Sequence, residues 1–216
     1  MILNAHPKAD APRNCRACPR LAAFVRGHRK AQPVWFNAPV PTWVPPDGDT
    51  GVHTLIIGLA PSLKGANRTG VPFTGDSAGD TLFETLKRAG LAHGDYTAEP
   101  NASMQLVGCA ITNAVRCIPP ENKPVGAEVN ACTKRYLTRT VRRFPALKRI
   151  ITLGKIAHDA TVRTLGARVA DHPFGHDVRS RVGGLELIAS YHCSRYNMNT
   201  GRLTAQMFEA VFEVRG

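Results

Sequence analysis

The chain of 216 residues is poor in acid: 16 Asp and Glu face 28 Lys and Arg, a formal charge of +12 at neutral pH. That balance disfavours a cationic partner and favours a polyanion, which such a surface binds by counterion release and steering. Aromatics are sparse at 6%, so an aromatic inside a glycine-rich loop stands out. No apolar run approaches the roughly 18 residues of a membrane-spanning helix. The opening MILNAHPKADAPRNC carries no apolar segment behind a charged start, so the expected location is the cytoplasm. There is no internal repeat and no low-complexity tract. The GxxxxGK[ST] spacing of a phosphate loop is missing, because Lys64 precedes Gly65, which argues against nucleotide hydrolysis. None of the 8 histidines falls in an HExxH pattern.

What remains is ordinary globular material, 43% hydrophobic and 20% charged, with enough length to bury a core. In a reducing compartment six cysteines read as metal ligands or buried thiols rather than disulfides. Cys15 and Cys18 have the Cys-x-x-Cys spacing of a chelating knuckle, and Cys117 and Cys132 form a second pair. Thiolates so arranged take zinc or an iron–sulfur cluster, and spacing alone does not choose. Cys109 and Cys193 read as free.

Residues 1–216 read as one domain with an N-terminal arm over about residues 1–52, extended and rich in Pro and Gly from 37 onward. A short helix is expected inside the arm at 20–29. Apolar runs at 54–60, 106–115, 149–154 and 185–192 predict buried strands. Helical patterns follow at 78–89, 127–144, 155–165 and 202–214. This alternation predicts an α/β fold, a three-layer α/β/α sandwich around a parallel sheet. Ligands of such sheets sit beyond the carboxyl ends of the strands, which brings the segments after Ala60, Thr112 and Tyr191 into one crevice.

Each of those segments carries candidate chemistry. The loop GLAPSLKGANRTGVPFTGDSAG presents Phe73, able to stack on a flat ligand, and Asp76, able to orient water. Their plainer alternatives are a core plug and a helix cap. Asn113 follows the second strand and offers one acceptor and two donors to the edge of a heterocycle; otherwise it is a turn residue. His192 closes the fourth strand and is placed to donate to a developing anion, or else is structural. Helix 127–144 carries Arg135, Arg139, Arg142 and Arg143 along one face, a solvated stripe or a phosphate-contacting one.

Taken together, GLAP…GANRTG…FTGD, TNAVRC…PPENKP and YHxS…N…TGRLT resemble the uracil-DNA glycosylase superfamily and most closely its family 5, the UDGb type, over Cys15 to Thr204. Leu59 stands where family 4 enzymes carry a glutamate, and Cys193 where the superfamily commonly has proline. The resemblance implies a monomer with a four-stranded parallel sheet and a [4Fe–4S] cluster on Cys15, Cys18, Cys117 and Cys132. It implies hydrolysis of the N-glycosidic bond of uracil, hypoxanthine, xanthine and ethenocytosine, in double-stranded DNA especially, by base flipping. Phe73 would stack on the base, Asn113 would read its edge, His192 would stabilise the departing anion and Asp76 would position water. Ala60, Pro61 and Gly65 would shape the pocket. Arg195, Tyr196, Asn197, Met198 and Arg202 are the candidate DNA contacts, with Tyr196 or Met198 as wedge. The rival readings are a uracil-only enzyme of the family 4 kind and a non-catalytic nucleic-acid-binding protein with structural zinc.

Overall fold

Strand β1 (Thr54–Gly58) is buried at every position, as are β4 (Cys109–Asn113) and β5 (Arg149–Leu153). Runs without a polar face must be covered on both sides, and they are. In the computed structural model, which describes residues 6–97, 99 and 103–214, these strands join β7 (Leu185–Ser190) in parallel. A fifth strand, β6 (Val178–Val182), pairs antiparallel with β7, giving the order β4-β1-β5-β7-β6. The four expected parallel strands are present. The fifth is missed by sequence reading because VRSRV is largely polar and only partly buried, as suits an edge strand. Residues 1–5 of the predicted arm lie outside the described residues.

Side chains alternate cleanly between the two faces of the sheet. Ile56, Ile111, Ile151 and Ile188 join one core with Leu82, Phe83 and Leu86 of α3 (Ser77–Arg88) and Phe208 of α8 (Ala205–Ala210). Leu55, Ile57, Ala110, Ile150 and Leu187 join the other with Leu21 of α1 (Pro19–Ala31) and Ala157 and Ala160 of α6 (Lys155–Thr164). This is the three-layer sandwich. A two-stranded ribbon, β2 (Ala92–His93) with β3 (Gln105–Leu106), sits beside α3. No helix among the described residues is long and apolar enough to cross a membrane.

Two helical expectations need correction. The segment 127–144 is not uniform: α4 (Gly126–Cys132) runs through a π-helical stretch (Thr133–Leu137) into α5 (Thr138–Arg143). Thr133 and Thr138 hydroxyls donate back to Val129 O and Thr133 O, competing with the regular ladder. The last predicted helix, 202–214, is shorter than expected, α8, and the polar loop before it holds an unexpected short helix, α7 (Arg195–Asn199). Gly201, at φ +70°, turns the chain between them, and Thr204 caps α8 by accepting from Met207 N.

The arm is bound to the sheet by polar contacts. Trp43 pairs with Ile111 across the open edge of β4, and Val40 N donates to Arg116 O at 2.7 Å. Beneath them lies a buried ion cluster. The Asp10 carboxylate, 0% exposed, lies 3.3 Å from Arg116 and 3.6 Å from Arg143, and accepts from Thr42 N and Oγ1 at 3.0 and 2.9 Å. Arg143 also pairs with Asp49 at 2.6 Å, and Arg139 donates to Lys8 O. Arg143 of the predicted arginine stripe therefore braces the arm from within, along the outer edge of β4, while Arg135, Arg139 and Arg142 stay exposed. Removing one member strands a buried charge. Asp10→Ala is expected to lower unfolding free energy by about 3–5 kcal/mol, read from urea denaturation; a change below ~1 kcal/mol would show that the cluster is not a structural link.

Candidate active site

The carboxyl ends of β1 and β4 lie side by side, with Gly58 in register with Asn113. Backbone pairing continues past the strands, Ala114 N to Gly58 O and Val115 N to Leu59 O, so the GLAP loop leaves the sheet in a fixed direction. Gly58 has to be glycine. A Cβ there would stand 2.5 Å from Asn113 Oδ1 and 2.6 Å from Phe73 Cζ. Its absence lets the amide and the ring converge.

Phe73 reaches this point in a left-handed conformation, φ +58°, which costs a β-carbon-bearing residue on the order of 1–3 kcal/mol. It is held there from behind. The first turn of α3 packs so closely on its carbonyl that a Cβ on Gly79 would overlap it at 1.9 Å, and Tyr96 Oη donates to the same oxygen at 3.4 Å. The ring faces the His192 imidazole, with centroids 6.0 Å apart and planes 24° from parallel. Phe73 is thus both the core plug of the plainer reading and a wall of the site.

Asp76 likewise fills two readings. It caps α3, accepting from Gly79 N at 3.3 Å through Oδ1, and its Oδ2 accepts from Ser62 Oγ at 2.5 Å on the cavity side. Asn113 is 3% exposed, yet its side chain makes no hydrogen bond with the described residues, leaving its donors and acceptor for a ligand. Burial lowers the His192 imidazole below the ordinary histidine range, and the Asp76 charge opposes that shift. His192 lies two residues past β7 rather than at its last position, and its carbonyl accepts from Asn197 Nδ2 at 2.8 Å.

These groups line one cavity of about 210 Å³, below the ~300 Å³ of drug-sized ligand sites. Leu59, Ala60 and Pro61 form its floor, and Phe73, Asp76, Asn113 and His192 its functional wall. Gly65 stands behind the wall rather than in it. Sequence reasoning missed Ser62 and Asn122 as lining residues. A signal for the second was available: Asn122, at φ +56° after Pro119-Pro120, is in the left-handed region that asparagine tolerates.

The five proposed DNA contacts divide. Arg195 and Tyr196 are exposed, Tyr196 at 72%. Met198 packs on the core, Asn197 supports His192, and Arg202 lies 4.7 Å over the Tyr191 ring. Cys193 is fully buried and donates to Ala78 O, and burial pushes its thiol up to about 12. It is a neutral packing residue, as is Cys109.

The other four cysteines share one neighbourhood between arm and α4. Cys15 Sγ lies 3.2 Å from Tyr136 Oη, and Arg116 N donates to Cys132 Sγ at 3.4 Å. Burial raises Cys117, and so do Cys132, Cys15 and Cys18; Cys132 is pushed up to about 11 by burial, with Cys18 and Cys15 adding to the rise. Soft donors that disfavour one another's charge suit a thiophilic cation, which reverses that penalty. Among the described residues, no three His, Cys, Asp or Glu side chains are drawn together as a ligand set.

A narrow slot with an aromatic wall, an unengaged amide and a neutral imidazole defines a site for a flat heterocycle held by its edge. Residues 45–214 match the family model of the Uracil DNA glycosylase superfamily. The chain is 41% identical over 209 residues to the type-5 uracil-DNA glycosylase of Thermus thermophilus, covering 93% of this chain and 92% of that one. It is 35% identical over 202 residues to the type-5 uracil-DNA glycosylase of Pyrobaculum aerophilum, covering 92% and 86%. The type-4 uracil-DNA glycosylase of that organism matches at 32% over 187 residues, covering 83% and 78%. The chain belongs to the uracil-DNA glycosylase superfamily, in its type-5 branch.

The electrostatics of His192 can be read directly. In a proton NMR titration, the imidazole resonance that vanishes in His192→Gln is expected to titrate below the unperturbed value of about 6.5. A midpoint at or above that value would contradict a neutral imidazole in this pocket.

Proposed function

We propose that this chain is a monofunctional repair glycosylase that hydrolyses the N-glycosidic bond of uracil in DNA and leaves an abasic site. Its range extends to hypoxanthine, xanthine and ethenocytosine, in double-stranded DNA especially, and it acts as a single-domain monomer. The observation that carries this reading is the slot of about 210 Å³ between the Phe73 ring and the unengaged Asn113 amide, on a chain of charge +12.

A base within a duplex is out of reach, so the nucleotide must be extruded, at least cost from a mismatch. Phe73 stacks on the extruded base and Asn113 reads its edge. As the bond to the sugar lengthens, negative charge gathers on the base and positive charge on the sugar. The neutral His192 donates a hydrogen bond to the departing base. Asp76 faces the sugar cation and orients the water whose oxygen bonds to C1′, the proton that this water releases ending on the departing base anion. Tyr196, rather than the inward-packed Met198, is the wedge that holds the gap open, flanked by Arg195 and Arg202 on the phosphates. Breadth follows from the floor. Leu59, Ala60 and Pro61 present apolar side chains, which add no polar discrimination among flat ligands to what Asn113 reads.

Cys15, Cys18, Cys117 and Cys132 are proposed to hold a [4Fe–4S] cluster. When bound, the group would crosslink the arm to β4 and α4 as a brace. Iron and labile sulfide matching one cluster per chain, with Cys18→Ala losing both cluster and DNA affinity, is the expected result. Zinc in place of iron would favour the structural-zinc reading.

The function is tested with purified protein and labelled duplexes carrying U·G, hypoxanthine·T or no damage, in EDTA, followed by alkali. Both damaged duplexes should be cut. His192→Ala should lose about 10²–10³ in single-turnover rate and still bind DNA. Cutting of uracil alone would move the chain towards narrow specificity, and binding without cutting would leave the fold without the activity.

A further inference from the structure

The Asp76 carboxylate is oriented at both oxygens. Oδ1 accepts from Gly79 N in the first turn of α3 at 3.3 Å, and Oδ2 accepts from Ser62 Oγ at 2.5 Å. The second contact joins two loops 14 residues apart that the sequence gives no reason to pair. It exists because the backbone between them has been cleared. A Cβ on Gly65 would stand 2.3 Å from Ser62 Oγ, 2.8 Å from Asp76 Oδ2 and 2.8 Å from Thr74 O. Gly75, at φ +78°, lies so close behind that its own Cβ would be 3.1 Å from Gly65 Cα. Ser62 is itself anchored, its carbonyl accepting from Asn67 N at 3.1 Å as the chain enters the short helix α2 (Ala66–Thr69). Ser62 also lines the cavity.

A hydroxyl so placed has one good acceptor within reach and gives its hydrogen to it. A carboxylate with one fixed donor is free to swing about χ2, whereas two donors on opposite oxygens lock the plane and leave the remaining lone pairs in one direction. That direction matters only if the carboxylate acts on something in the cavity.

We propose that Ser62 is a positioning residue for base excision: by donating to Asp76 Oδ2 it locks the carboxylate plane, so that the free lone pairs of Asp76 address the sugar and the attacking water. The proposal rests on the role assigned to Asp76 in the glycosylase reading. Ser62 touches neither the bond that breaks nor the one that forms.

The test is a double-mutant cycle on a U·G duplex, reading single-turnover rate and DNA affinity separately for wild type, Ser62→Ala, Asp76→Ala and the double variant. A hydrogen bond to a charged group contributes enough that its loss should slow the chemical step by about 10-fold or more. DNA affinity and thermal midpoint should stay near wild type, which a merely structural serine would not allow. In the Asp76→Ala background, Ser62→Ala should cause no further loss. A wild-type rate for Ser62→Ala, or an equal loss in both backgrounds, overturns the proposal while leaving the glycosylase assignment standing. An unimpaired Asp76→Ala overturns both the role of Asp76 and this proposal. A wild-type protein that leaves U·G uncut overturns the functional reading from which they follow.

Discussion

At the end of β1 the space that one methyl group would fill is shared by the Asn113 amide and the Phe73 ring. The parallel register of Gly58 with Asn113 sets that meeting point, and two fully buried strands hold the register, since a slip of one residue would turn Ile56 and Ile111 onto the wrong face. The other parts of the site are placed relative to it. Phe73 takes up a left-handed backbone to reach it, Gly79 lets α3 press on Phe73 from behind, and the α3 N-terminus brings Asp76 to the same cavity. His192 arrives from the third parallel neighbour, past the end of β7, and completes the wall facing the ring. Close packing without side chains at Gly58 and Gly79 thus does the work that hydrogen bonds do elsewhere.

The electrostatics of the cavity and of the arm differ in kind. In the cavity charge is sparse: one carboxylate, one neutral imidazole and an amide, each counting for more than in water. Along the arm and the outer edge of β4, charge is dense and used internally. Asp10 ties Arg116 and Arg143 together, and Arg116 immediately precedes Cys117 in the chain. The arm, the edge of β4 and the four-thiol neighbourhood are therefore one mechanical unit, which also shields the unpaired edge of the sheet. The surplus positive charge left on the surface is what remains to meet phosphate.

Much of this was legible in the sequence, and where it was not the reasons are local. Buried strands without polar positions announce themselves, so four strands and their order of helices could be read directly. β6 could not, because an edge strand made of Val, Arg and Ser has no core signature. Phe73, Asp76, Asn113 and His192 were legible because loop aromatics and strand-end polar residues are conspicuous, and their convergence follows from parallel topology. Ser62 was not, since a serine declares its partner only when Gly65 is seen to make room. The arginine stripe misled in part for the converse reason: periodicity places a side chain on a face, but Asp10 and Asp49, distant in sequence, decide that Arg143 turns inward.

Every role proposed for these residues requires that the slot at the ends of β1 and β4 hold the damaged base. A crystal structure of the protein on a duplex containing a cleavage-resistant deoxyuridine analogue tests it most directly. The base should be extruded, its face on the Phe73 ring, its edge on the Asn113 amide, and its sugar turned towards Asp76. A base still stacked in the helix above an empty slot, or extruded and bound elsewhere on the surface, would contradict it.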